Sequence, residues 1–335
     1  MIVTLACAGS KTGARVSPES RSEQRGLAIA VVVCALAGAA TVGATLTLSR
    51  GIDEQRSDAA ATIASEEYGR RLLTDTSRLM GPDHEDPARR HAGIRMACAS
   101  CHLGGGTEPG TLSLLQTATV YPRFSGRDGG VRDLVDRING CMTRSMNGRE
   151  LSRDSTEMAA MVAYITSLGD IYAATGQGRR QVDEPTAFKT PPRAADLGAG
   201  ERVFGERCAI CHGSDGLGLH ATPNRADGYV FPPLWGADSF NDGAGMHRVL
   251  TAARFIKAKM PLGKPDLTDD DAFDVAAFIN SKPRPHMAKL DRDYPDRATK
   301  PIDGPYGPYA DDFPIEQHRW GPFAPIEQYY KQLKR

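Results

Sequence analysis

The chain has 335 residues, enough for two small domains with extensions. Its 41 basic and 41 acidic residues cancel, so the basic excess that a nucleic-acid partner requires is missing and any charge-guided docking must come from local patches. Of seven cysteines, four fall in paired motifs and two in the N-terminal leader, which leaves Cys141 alone and gives no basis for a disulfide framework.

The first feature in chain order is an uncharged run rich in Ala, Val and Leu over residues 27–48, inside a leader of residues 1–50. Lys11, Arg15, Arg21 and Arg25 precede it, and Arg50, Asp53 and Glu54 follow. A run of about 20 apolar residues can span a bilayer. The basic flank should stay in the cytoplasm, so the chain after Arg50 is expected to be exported. The length of the run favours an uncleaved anchor, whereas the Ala-Gly-Ala-Ala and Val-Gly-Ala steps near its end suit signal cleavage. Both outcomes stay open.

Residues 51–176 read as the first domain. A polar, partly helical stretch breaks at Gly81-Pro82-Asp83 and leads to Cys98-Ala99-Ser100-Cys101-His102. Val131, Leu134, Val135 and Ile138 recur at helical spacing, and so do Met158, Met161, Val162, Ile165 and Leu168. Ser155 marks the expected start of the second helix and Gly169 its end. Residues 177–192 are polar, end in Thr-Pro-Pro and read as a linker.

The second domain is expected over residues 193–285. A short helix from Leu197 runs into Cys208-Ala209-Ile210-Cys211-His212. A closing helix opens at the N-cap Thr268, with Asp269, Asp270 and Asp271 in the turn where the helix dipole favours acid, and stops before Pro283. Nothing alternates with period two for long enough to predict a sheet. Cys98 and Cys208 are 110 positions apart, and Val162-Ala-Tyr-Ile-Thr-Ser matches Ala276-Ala-Phe-Ile-Asn-Ser at an offset of 114. Such a period is too long for a solenoid and indicates two copies of one small helical domain. Residues 286–335 hold Tyr306, Tyr309, Trp320, Phe323, Tyr329 and Tyr330, and are expected to wrap over the domains as an irregular extension.

Two cysteines three apart can form thioethers to the two vinyl groups of one haem, and the adjacent histidine then reaches the iron. Two such motifs in matching places of a repeat, on an exported chain, predict two covalently bound haem c groups. Cys98, Cys101 and His102 would hold one, and Cys208, Cys211 and His212 the other. The fold class expected is all-α, two tandem class I cytochrome c domains. A zinc reading would need further ligands at suitable spacing, and none is present.

The sixth ligand sets the chemistry of each haem. For the second haem, Met260 lies 48 residues after His212 and just before a proline, which suits a thioether ligand. Lys259 beside it is the alternative, and Met246 a weaker candidate. For the first haem the repeat offset maps Met260 onto Met146, while Cys141, on the helix of Leu134 and Ile138, offers a thiolate instead. A thiolate would lower the potential and mark a catalytic haem. Arg123, Arg127, Arg132, Arg137, Arg144 and Arg149 surround this stretch, and arginine forks suit oxyanions, although Asp128, Asp133 and Asp136 can pair with some of them.

At Arg137-Ile-Asn-Gly-Cys-Met-Thr-Arg-Ser-Met-Asn-Gly-Arg the sequence resembles the di-haem thiosulfate dehydrogenases of bacteria, and the likeness spans roughly Ala92 to Tyr330. The likeness runs through Tyr229-Val-Phe-Pro-Pro-Leu-Trp-Gly, Asn241-Asp-Gly-Ala-Gly-Met, residues 255–263 and 276–285, and the tail from Asp291-Arg-Asp-Tyr-Pro-Asp-Arg to Tyr306-Gly-Pro-Tyr. It implies a periplasmic enzyme, soluble or held at the inner membrane by its N-terminal helix. That enzyme joins two thiosulfates into tetrathionate, reversibly in some members, and passes two electrons to a small acceptor such as a cytochrome c. It also implies His102 and Cys141 as ligands of the first haem, with Met146 reduced to packing. The second haem would take His212 with Met260, and Lys259 would compete. Arg144 and Arg137, followed by Arg123 and Ser125, are the expected substrate contacts. A non-catalytic electron-transfer cytochrome and a haem subunit of a sulfur-oxidising complex are the competing readings.

Overall fold

In the computed structural model the structure describes residue 61, residues 65–174 and residues 188–333. The apolar run at residues 27–48, Cys7, Cys34 and most of the linker lie outside the described residues. Among the described residues no helix is long and apolar enough to cross a membrane.

Two apolar cores organise the chain. The first gathers Leu72 and Leu73 of α1 (residues 65–74), Met80 of α2 (Thr76–Met80), Ile138 and Met142 of α3 (Leu134–Arg144), and Met158, Met161, Ile165 and Leu168 of α4 (Thr156–Ala174). In the second unit, α5 (Leu197–Val203) continues through a π-helical turn, Phe204–Cys208, into α6 (Ala209–His212). Phe204 meets Leu250, Ala253 and Ile256 of α7 (Val249–Lys259) and Phe273, Ala276 and Ala277 of α8 (Asp269–Ser281) in the second core.

The helix ends follow local chemistry. The Asp133 side chain accepts from the Asp136 N–H while Asp136 reaches back to the Asp133 N–H, a capping box that starts α3. Thr268 and Asp271 do the same for α8, at the expected N-cap. Two expectations fail. The α3 periodicity does not begin at Val131, which is 70% exposed and pairs with Phe124 in a hairpin of β1 (Arg123–Ser125) and β2 (Gly130–Arg132). Nor does α4 end at Gly169. That glycine is buried within the helix, which runs on to bury Tyr172, so packing overrides the roughly 1 kcal/mol helix penalty of glycine. A second hairpin joins β3 (Leu219–His220) to β4 (Tyr229–Phe231). Strands of two or three residues are too short to show an alternating pattern.

The tail packs as expected, though partly as helices, α9 (Ile315–Trp320) and α10 (Ala324–Leu333). Phe323, Ile326 and Tyr330 enter the second core. His318 is fully buried, stacked 3.7 Å from the Tyr309 ring, with Nδ1 on the Ile302 carbonyl and Nε2 3.0 Å from Asp311. Polar contacts lock the two units together. Arg95 binds both Asp83 and Asp238, and the Asn241 amide donates to the Thr143 carbonyl and to Asn147.

Candidate functional site

The Cys98–His102 turn is held by Thr76, whose hydroxyl accepts from the Cys98 N–H at 3.1 Å and donates to the Cys98 sulfur at 3.5 Å. It forms one wall of a cavity of about 940 Å³. Arg137, Cys141 and Met146, from α3 and the turn after it, line the cavity, together with the β1–β2 hairpin, Phe240 and Met246 of the second unit, and Met287 and Tyr294 of the tail.

His102 Nδ1 lies 2.7 Å from the Leu112 carbonyl oxygen and must donate to it, which fixes the orientation of the ring. Burial raises the Cys141 thiol, but the Arg137 guanidinium and the neighbouring His102 outweigh it and bring the thiol down to about 7. Burial pushes Cys98 up to about 11 and Cys101 up to about 12. One wall thus presents two neutral thiols and an imidazole, and the other a sulfur poised to be a thiolate. That donor set would suit a haem held through Cys98 and Cys101, with His102 and Cys141 as the groups that could reach its iron. Among the described residues no three His, Cys, Asp or Glu side chains converge as a metal cage would require. All five described cysteines are free of disulfides.

The structure separates the expected substrate residues. Arg137 projects into the cavity, its Nη1 donating to Cys141 Sγ at 3.0 Å. Arg144 also lines the cavity but is already committed: Nη1 and Nη2 bind Asp293 at 2.9 and 2.8 Å, and Nη1 also reaches the Gly243 carbonyl. Arg123 is exposed at the rim, over the Tyr121 ring at 5.1 Å, and the Ser125 hydroxyl donates to Asp128 at 2.7 Å. Arg132 pairs with Asp128, and Arg149 binds backbone carbonyls at Pro87, Ala88 and Arg90. Arg127, named in the basic cluster but not singled out, sits in the cavity wall. Its Nε donates to the Tyr294 hydroxyl at 3.3 Å and its Nη1 to the Gly243 carbonyl at 3.0 Å. Among the described residues, Arg127 and Arg137 form no ion pair with a carboxylate. They lie close enough for Arg127 to oppose the charge on Arg137. No spacing rule would have found Tyr294, which lies 167 residues from Arg127.

The second site repeats the histidine geometry. His212 Nδ1 lies 2.8 Å from the Pro232 carbonyl oxygen, and burial lowers its pKa, against a smaller opposite effect of that contact. Met260 ends α7 and packs on the second core. The Lys259 ammonium donates to the Pro109 carbonyl at 2.7 Å and lies 3.8 Å from Glu108, so in this arrangement it serves the contact between the two units. Met146 is 3% exposed in the first core and also lines the cavity.

Comparison with known proteins gives matching results. Residues 89–170 match the model described as SoxA/TsdA, cytochrome c domain, and residues 195–279 match cytochrome c oxidase, cbb3-type, subunit III. A thiosulfate dehydrogenase of Stutzerimonas stutzeri is 40% identical over 228 residues, covering 67% of this chain and 69% of that protein. One of Psychrobacter arcticus is 37% identical over 261 residues, covering 76% of each. Among solved structures, a thiosulfate dehydrogenase (TsdBA) of Marichromatium purpuratum aligns with a TM-score of 0.59 at 33% identity. The alignment covers 68% of this chain and 47% of that one, so this chain spans about half of that longer protein.

Proposed function

The chain belongs to the thiosulfate dehydrogenase family, with two cytochrome c domains and two covalently bound haems, and on that premise we propose that it couples two thiosulfates into tetrathionate at the site bounded by His102 and Cys141. The observation that carries this reading is the pair of guanidinium groups, Arg127 and Arg137, that line the cavity without a carboxylate partner among the described residues, Arg137 directly on the Cys141 sulfur.

In the coupling two thiosulfate dianions form one sulfur–sulfur bond, no proton is exchanged and two electrons leave. The barrier the protein must lower is the repulsion between two dianions as their sulfane sulfurs approach. Positive groups fixed before the substrates arrive do this at little reorganisation cost. Arg137 and Arg127 supply that charge, with Arg123 at the rim to attract the anions. Arg144 acts through what it holds, since Asp293 already neutralises it. Arg137 also stabilises the Cys141 sulfur as the thiolate, the form needed of a ligand. When bound, the two haems supply acceptors for the two electrons, the thiolate side favouring a low potential and a methionine side a higher one.

For the second haem we assign His212 and Met260, with Lys259 as the alternative ligand should it leave Pro109 and Glu108. The electron acceptor in this reading is a small periplasmic redox protein of the cytochrome c kind, and the working location is the periplasm. Residues 51–176 and 193–285 serve as the two haem-bearing domains in this reading.

The test is turnover by purified protein carrying both haems. Thiosulfate with an artificial electron acceptor should yield one tetrathionate per two electrons. A preparation with both haems attached that neither forms tetrathionate nor is reduced by thiosulfate would favour a carrier role.

A further inference from the structure

We propose that the C-terminal extension completes the first site, with Asp293 and Tyr294 as positioning residues that hold Arg144 and Arg127. The proposal rests on the reading of that site as the place where thiosulfate is coupled. Asp293 lies 149 residues beyond Arg144, yet its carboxylate takes both guanidinium nitrogens in a two-point contact, with the two side chains 10% and 12% exposed. The other claims on Asp293 all fix its orientation. The Tyr306 hydroxyl donates to Oδ2 at 2.7 Å, the Asp293 N–H donates to the Leu290 carbonyl, and Arg297 donates to the Asp293 carbonyl. Arg144 stands three residues after Cys141 on α3, within one turn on a neighbouring face, so this clamp holds the end of the helix that presents the sulfur.

Tyr294 extends the same grip to the other side of the cavity. Its N–H donates to the Arg127 carbonyl at 2.7 Å, its hydroxyl takes Arg127 Nε, and the Arg127 guanidinium lies 5.6 Å from its ring centre. Its backbone sits at φ 58°, a left-handed conformation that a bulky residue keeps only where its surroundings impose it. The Gly243 carbonyl accepts from both Arg127 and Arg144, which ties the two arginines to one point. A side chain at Gly243 would collide there, since its Cβ would come within 2.8 Å of Arg144 Nη1 and 2.7 Å of Met287 Sδ.

The electrostatic consequence separates this role from simple bracing. The Asp293 carboxylate pairs directly with Arg144 and acts on Arg127 only through space, so among the described residues Arg127 and Arg137 face the cavity without a carboxylate contact, Arg137 against Cys141. Removing the Asp293 charge would release a third cation three residues from that sulfur and loosen the helix end that carries it.

Two variants test the idea. Asp293→Asn keeps size and an acceptor for Tyr306 but removes the charge. Tyr294→Phe keeps the ring and the backbone bond but deletes the hydroxyl that accepts from Arg127 Nε. Both should load two haems. Asp293→Asn should shift or split the low-spin resonance of the first haem and leave that of the second unchanged. Tyr294→Phe should raise the KM for thiosulfate about tenfold with a smaller change in kcat. The proposal is overturned if both variants keep the parent KM and the parent first-haem signal. It is equally overturned if their losses track a general fall in stability that disturbs both haem signals alike. Failure of the parent protein to oxidise thiosulfate would sink the functional reading instead, and the first-haem signal of Asp293→Asn would still decide whether the tail positions α3.

Discussion

In the proposed reading, Cys141 and Arg137 set the chemistry of the first site at the residue scale. Cys141 sits between Arg137 and His102, and their combined pull overcomes the burial that would otherwise keep its thiol protonated. Cys141→Met replaces a charged sulfur with a neutral one of similar reach. Turnover of thiosulfate should be lost while both haems stay attached, and the first haem should lose its thiolate signature in spin resonance. A variant that still reduced the second haem with thiosulfate at the parent rate would rule Cys141 out as essential. Arg137→Gln should lower kcat/KM by about a hundred- to a thousandfold, the usual loss when a fixed donor to developing charge is removed. Steady-state kinetics on fully loaded protein checks it. Arg123→Gln, further out and exposed, should act mainly on KM and on its salt dependence.

The helices that carry the ligands and cores are held by ordinary devices at the element scale. Thr268 caps α8, which supplies Phe273, Ala276 and Ala277 to the second core. Thr268→Ala should cost about 1 kcal/mol, read as a lower denaturation midpoint with unchanged haem spectra. Gly169 lies inside α4 rather than at its end, and a Cβ there would meet Thr119 and Leu115 at 3.7 and 3.8 Å, ordinary contact distances. Gly169→Ala should therefore stabilise the protein by about 0.5–1 kcal/mol, seen as a rise in the midpoint of denaturant unfolding. A fall would mean that the wall formed by Leu115 and Thr119 cannot give way. The contrast between α3 and the β1–β2 hairpin shows the limit of periodicity. Leu134, Val135 and Ile138 mark α3 correctly, but Val131 fell into register by coincidence, because a three-residue strand leaves no pattern of its own to oppose the helical one.

At the scale of the whole molecule, stability should depend on pH through His247. Burial, helped by the nearby Arg284, lowers its pKa from 6.5 to about 4, against weaker support from backbone contacts to Asp242 and Asn280. The unfolded chain binds that proton first as pH falls. The stabilising contribution is thus complete above about pH 6.5 and is lost as pH drops through about 4, amounting to about 3 kcal/mol. Denaturant unfolding at pH 7 and pH 4 should show the loss, and His247→Gln should flatten it.

The covalent chemistry and its duplication could be read from the sequence alone. A Cys-x-x-Cys-His motif brings its two thioether-forming cysteines and its iron-binding histidine together within five residues, whatever the rest of the chain does. The repeat then shows two such units, and Cys141 stood out because it had no partner and did not fit the repeat. The division of labour among the arginines was decided only by the tertiary structure. Arg127, Arg137 and Arg144 look alike along the chain, yet Arg144 is cancelled by Asp293, Arg127 is turned by Tyr294, and Arg137 is directed at Cys141. The Asp293 and Tyr294 contacts span 149 and 167 residues. A charge's role depends on which opposite charges and dipoles lie within a few ångströms, and across such separations that is set by how the tail folds back, which leaves no local pattern in the sequence.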